Sequence, residues 1–153
     1  MGAYRTVRRL MPETAAYLAD LVDGEGTITL SAEHRGERRS IVVSISNTDR
    51  ALLEFVRDAV GAGRITGKRT YSERHTPSFA YKVSNRQALD FLSQIASYLK
   101  TYRRKRAAMA LHRYVAVTPR NGTYSAEILR RRRDFEREFL AIVPGPRGRD
   151  RKA

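Results

Sequence analysis

Cysteine is absent from the 153 residues, which removes disulfides, thiolate catalysis and cysteine-based zinc sites together. Any metal must be held by oxygen or histidine. The three histidines, His34, His75 and His112, show no ligand spacing, so loop or surface roles are expected for them. Long apolar runs are also missing: none approaches the roughly 18 to 20 residues needed to span a bilayer. The opening "MGAYRTVRRLMPE" lacks the continuous apolar core of a secretory signal. The chain is therefore expected to stay off the membrane and inside a cell, in cytoplasm, nucleoid or an organelle. Acidic residues are scarce as well, 16 against 30 Lys plus Arg, giving a formal charge of +14 and implying a polyanionic partner. A ribosomal RNA binder or a protein touching anionic membrane would carry the same charge, so composition alone leaves the partner open. Sixteen of the basic residues but only five of the acidic ones lie from Lys100 onward. The last third thus carries the electrostatics, and the first two thirds must carry something else.

The length suits one domain with its own core, expected over residues 1–143, with "PGPRGRDRKA" at 144–153 as a disordered basic tail. Pro12 suits the first turn of a helix that runs to about Asp23, with Ala15, Leu18, Leu21 and Val22 at helical spacing and Gly24 available to stop it. After Gly26 the period becomes two: Ile28 and Leu30 alternate with Thr27, Thr29, Ser31, Glu33 and Arg35 in "GTITLSAEHR". "SIVVSISN" completes a hairpin. Asn47, Thr48 or Asp49 caps a second helix with Leu52, Leu53, Val56 and Val60 inward, ended by Gly61. "GRITGKRTYS" and "SFAYKVS" form a second hairpin. Helices follow at about 86–99, 103–116 and from Ser125. In the last, most of "RRRR" at 130–133 is expected on a solvated face, where phosphate contact would be unspecific. This order predicts an α+β fold: an αββαββα core around a four-stranded antiparallel sheet, with extra C-terminal helices. Helices on one face leave the other, lined by Thr, Ser, Glu, Arg and Lys, free. Tyr71 and Tyr81 are candidates for stacking on bases, although strand tyrosines mostly pack.

Asp23 and Glu25 crowd the C-terminal end of the first helix, where the helix dipole disfavours carboxylates. Such a misfit suggests a cation among them. The surrounding "LADLVDGEG", residues 18–26, resembles the signature of the LAGLIDADG homing endonucleases. "VSISNTDRALLEFV", "GAGRITG" and "YLKTYRRKRAAMAL" follow as the family's later landmarks, in order. The motif occurs once, similar to the branch that works as a homodimer.

That resemblance implies a site-specific double-stranded DNA endonuclease with a long pseudo-palindromic target. Its final acid, Glu25, with the carbonyl of Gly24, would bind a divalent cation, and oxygen-only ligands suit Mg²⁺. Ala15, Ala16, Ala19 and Asp20 would line the helix-to-helix dimer interface, where Asp20 replaces the usual glycine. Arg103 stands where the family commonly has lysine, with Lys100 and Lys105 close by. A position that is often glutamine falls on Ser46 or Asn47, and Arg50 follows as a phosphate ligand. On the sheet, Thr29, Ser31, Glu33, Arg35, Arg38, Ser40, Ser44, Arg64, Thr66, Lys68 and Lys82 would contact DNA, in a register open to a shift of one. The alternative is a non-cleaving member, either an intron-splicing maturase that binds RNA or a DNA-binding regulator. A ribosomal structural protein would leave the acids unexplained.

Overall fold

The computed structural model of the protein describes residues 6–68 and 73–145. Tyr71 and nearly all of the expected tail lie outside them.

The first helix, α1, spans Pro12–Glu25, with Pro12 in its first turn as its fixed φ favours. Gly24 does not stop it, contrary to expectation: a helical glycine costs only about 1 kcal/mol, and the terminating residue is Gly26, extended, whose N–H reaches back to the Val22 carbonyl. Strand β1, Gly26–Ser31, follows without a loop. It pairs antiparallel with β2, Ser40–Asn47, from Gly26 opposite Ile45 to Ser31 opposite Ser40. β1 therefore ends where its partner begins. Glu33 and Arg35, expected in the strand, lie instead in the connecting loop, because beyond Ser31 no backbone pairs with them in a ladder.

Asp49 caps α2, Arg50–Val60, by accepting from the Ala51 N–H, and Gly61 closes the helix in the left-handed region at φ 75°. Strands β3, Arg64–Gly67, and β4, Phe79–Ser84, precede α3, Asn85–Ile95. The helix expected to reach residue 99 gives way to a 3₁₀ turn at Ala96–Tyr98. Helix α4, Tyr102–Arg113, and α5, Ala126–Ala141, complete the chain. The sheet order β1-β2-β4-β3 joins the two hairpins through their inner strands, all antiparallel.

Register decides the faces. Ile28, Leu30, Ile41, Val43, Ile45, Tyr81 and Val83 are buried beneath helices, together with Leu18, Val22, Leu53, Val56 and Phe91. Each large apolar side chain removed from water contributes about 1.5–3 kcal/mol. Phe135 and Phe139 of α5 are fully buried and meet as tilted rings 5.7 Å apart, with Tyr114 edge-on to Phe135 at 6.2 Å. The C-terminal helices thus extend the core instead of lying apart as a basic appendage.

Candidate metal centre and nucleic-acid interface

The two acids at the end of α1 have different surroundings. Asp23 turns toward the start of α4, where its carboxylate accepts from the Lys100 N–H at 2.8 Å, the Thr101 N–H at 3.3 Å and the Thr101 hydroxyl at 2.6 Å. Arg103 returns the contact: Nε donates to the Gly26 carbonyl at 2.8 Å and Nη1 to the Asp23 carbonyl at 3.0 Å. A cation therefore does sit at the negative end of the helix, and it is this guanidinium. Two separate nitrogens hold two carbonyls, which one lysine ammonium cannot match. Arg103→Lys is expected to cost about 1–2 kcal/mol, read as a lower midpoint in urea. An unchanged midpoint would mean that the guanidinium clasp holds nothing.

Glu25 is exposed. Its Oε2 accepts from Asn47 Nδ2 at 2.6 Å, while Asn47 Oδ1 accepts from the Asp49 N–H at 2.7 Å. Those two bonds orient the Asn47 amide, and through Asp49 they tie Glu25 to the first turn of α2. Of the two candidates at the end of β2, Asn47 meets Glu25. Ser46, one residue back, pairs with Ala80 and falls on the opposite face beside Thr66. Arg50 stacks over Phe79 at 5.4 Å and pairs with Glu54 at 3.1 Å. Among the described residues no three His, Cys, Asp or Glu side chains converge. One carboxylate beside backbone carbonyls fits Mg²⁺, which keeps several waters and takes few protein ligands.

On the open side of the sheet, cross-strand pairing aligns Thr27, Ser44, Lys82 and Arg64 in one row. Thr29, Val42 and Ser84 form the next, and Ser31 with Ser40 a third. Thr29, Ser31, Ser40, Ser44, Arg64, Thr66 and Lys82 therefore share one face, as the period of two implied. Thr27 and Ser84 belong with them and were legible from the same alternation. Glu33 folds back from the β1–β2 loop to pair with Arg64 on the far edge strand. Arg35 is exposed in that loop, and Lys68 lies just past β3, its N–H bonded to the Ser78 carbonyl. Lys100 and Lys105 are exposed at the start of α4.

The α1 stripe requires a correction. Ala15 and Ala19 are 3% and 0% exposed within the single chain, so their side chains pack in its own core and cannot line a surface. Outward on α1 stand Glu13, Tyr17, Asp20 and Gly24, with Ala16 half-buried. Tyr17 meets Phe55 of α2 edge to face at 5.9 Å, and both rings remain exposed. Tyr81 packs, as strand tyrosines mostly do, and most of "RRRR" is solvated, as expected. Tyr81 is fully buried and donates to the Ala62 carbonyl, burial pushing its phenol far above the ordinary range; it packs and cannot stack on a base. Within "RRRR", Arg132 is buried, whereas Arg130, Arg131 and Arg133 are exposed. His34, His75 and His112 are all exposed.

Residues 12–96 match the sequence family described as LAGLIDADG-like domain. Among solved structures, the homing endonuclease I-CvuI in complex with its target in the presence of Ca superposes with a TM-score of 0.71 at 17% identity, covering 89% of this chain and 85% of that one. The same endonuclease on the I-CreI target in the presence of Mg, its DNA not cleaved, gives 0.69 at 15% identity over 90% and 86%. The archaeal intron-encoded homing endonuclease I-Vdi141I, complexed with DNA, gives 0.59 at 20% over 90% and 89%. At these identities the likeness is one of fold. No curated protein matches.

Proposed function

As the chain belongs to the LAGLIDADG homing endonuclease family, we propose that it cuts double-stranded DNA as a homodimer, hydrolysing one phosphodiester per strand within a pseudo-palindromic site. The observation that carries this reading is the placement of Glu25. Its carboxylate is exposed and oriented by Asn47, at the junction where α1 runs directly into the polar sheet.

A second copy would pack along the outward face of α1, burying Tyr17, Phe55 and Ala16 and bringing the two Glu25 side chains together at the symmetry axis. Gly24 allows close approach there, and Asp20, exposed on the same stripe, requires a cation at the seam. Glu25 and the Gly24 carbonyl would hold a divalent cation, most simply Mg²⁺. When bound, such an ion polarises the phosphate and lowers the pKa of its water. Asn47 fixes the carboxylate. Arg50, Lys100 and Lys105 offer charge to the phosphates, and Arg103 stabilises the turn from behind.

On each side of the cut, the rows led by Thr27, Thr29 and Ser31 would face base edges in the major groove, and the two-fold axis would impose the target's symmetry. Lys82 stands in the inner strand β4 and is exposed. Its replacement by Ala should lower the slope of log affinity against log salt by about 0.9, the share of one displaced counterion. Filter binding across salt concentrations measures it, and an unchanged slope would take Lys82 off the DNA.

Duplexes selected from a random pool and cloned into a plasmid test the whole reading. Mg²⁺-dependent linearisation at the cloned site supports it; tight, sequence-selective binding without cutting overturns the nuclease. One observation favours that second outcome, a regulator or maturase: Arg103 is engaged with the Asp23 and Gly26 carbonyls at the position where the family's lysine acts.

A further inference from the structure

The eight-residue loop 32–39 carries Glu33, Arg35 and Arg38, which the family resemblance sets against DNA; their role there rests on the DNA-binding reading proposed above. Beyond the ladder, the backbone bond described within it runs from the Glu37 N–H to the His34 carbonyl at 3.2 Å. Other restraint comes from side chains, and much of it from the far end of the chain. Arg132 of α5, 5% exposed, donates from Nη2 to the Arg39 carbonyl, 93 residues away in sequence. Nη1 is held by the Val117 carbonyl at 3.0 Å, the Thr118 hydroxyl at 3.0 Å and the Tyr124 hydroxyl at 3.2 Å. Glu136, one turn on, pairs with Nε at 3.4 Å. The Tyr124 ring also receives the Arg38 guanidinium at 4.1 Å from its centroid, while Arg132 lies 5.7 Å from that centroid. Cation–π contact of this kind favours one loop position over the alternatives.

A buried cation is an expensive way merely to fill a core, and Phe135 and Phe139 on the same helix already do so. We infer that Arg132 and Tyr124 are positioning residues: they pre-order the β1–β2 loop before DNA arrives, so that sequence discrimination depends on a helix that itself touches no base. Loop ordering completed during folding is not charged against binding. Being buried, Arg132 cannot displace phosphate counterions, and this separates it from a direct contact.

The test combines hydrogen exchange in the DNA-free protein with salt-dependent binding. Arg132→Met and Tyr124→Leu are compared with the parent chain on a duplex selected from a random pool and on a mixed-sequence duplex. Loop amides 32–39 should exchange roughly tenfold faster while the sheet stays protected, and affinity for the selected duplex should fall about tenfold. Mixed-sequence affinity and the salt slope should hold. Unchanged loop protection overturns the inference; so does an equal loss on both duplexes with a slope lower by about one. Should Arg132→Met fail to fold, Tyr124→Leu carries the test, since Arg132 then retains Val117, Thr118 and Glu136 as partners. Should no duplex be selected, the endonuclease reading falls, but the exchange comparison still decides whether α5 pins the loop.

Discussion

Glu25→Gln should leave a supercoiled target plasmid uncut while its duplex is still bound. The substitution is nearly isosteric, and the amide oxygen can still accept from Asn47, which now stands 2.6 Å from the carboxylate. Only the negative charge goes. Lewis-acid activation contributes several kcal/mol, and about 1.4 kcal/mol is a tenfold change in rate, so scission should fall by roughly a thousandfold or more. Affinity should hold or rise slightly, because a carboxylate near phosphates is removed from a chain of formal charge +14. Chelation of divalent cations should give the same pair of results with the parent protein. Gel assays of cutting and of binding on one duplex settle it: cutting at the parent rate by Glu25→Gln would remove Glu25 from the chemistry.

Gly26→Ala and Gly24→Ala, two residues apart, should behave oppositely. A Cβ on Gly26 would lie 2.7 Å from Val22 Cα, 2.8 Å from the Val22 carbonyl oxygen and 3.0 Å from the Ser44 carbonyl oxygen. All three are backbone atoms, held by α1 and by the β1–β2 ladder, so nothing there can rotate away. The φ of −105° suits alanine; the obstacle is space alone. Overpacking of this kind costs about 3 kcal/mol, lowering Tm by roughly ten degrees at this chain length. A Cβ on Gly24 meets nothing within 4 Å, and the residue is helical. Gly24→Ala should therefore stabilise the single chain by up to about 1 kcal/mol. On the proposed dimer the larger Gly24→Leu obstructs the seam instead, and sedimentation should show the assembly weakened while the monomer keeps its Tm. A dimer indifferent to Gly24→Leu would place the interface elsewhere.

Local periodicities made much of the fold legible. Alternation in "GTITL" and "SIVVSIS" placed Ile28, Ile41, Val43 and Ile45 inward, and the strand pairing sets the row of Thr and Ser opposite. The boundaries were less secure. Gly24 looked like a stop because glycine often ends a helix, yet the carbonyls of this end are satisfied from α4, by a residue 77 positions away from Gly26. Small residues on α1 likewise looked like a seam. Ala15 and Ala19 face the chain's own core instead, and helical spacing alone does not tell which face meets the core and which meets solvent.

What the sequence determined by itself was the order of elements, the period-two faces, the acidic turn and its family. Those properties are local or compositional: each is fixed by residues a few positions apart. Tertiary structure alone decided that Asp23 clasps α4 while Glu25 stands exposed, that Asn47 and not Ser46 meets it, and that Arg103 serves the helix end. It also turned one arginine of four into a buried tie to Arg39. Each of these depends on which distant donor reaches which acceptor in a packed interior, and a hydrogen bond between residues some 20 to 90 positions apart leaves no periodic trace in the chain that makes it.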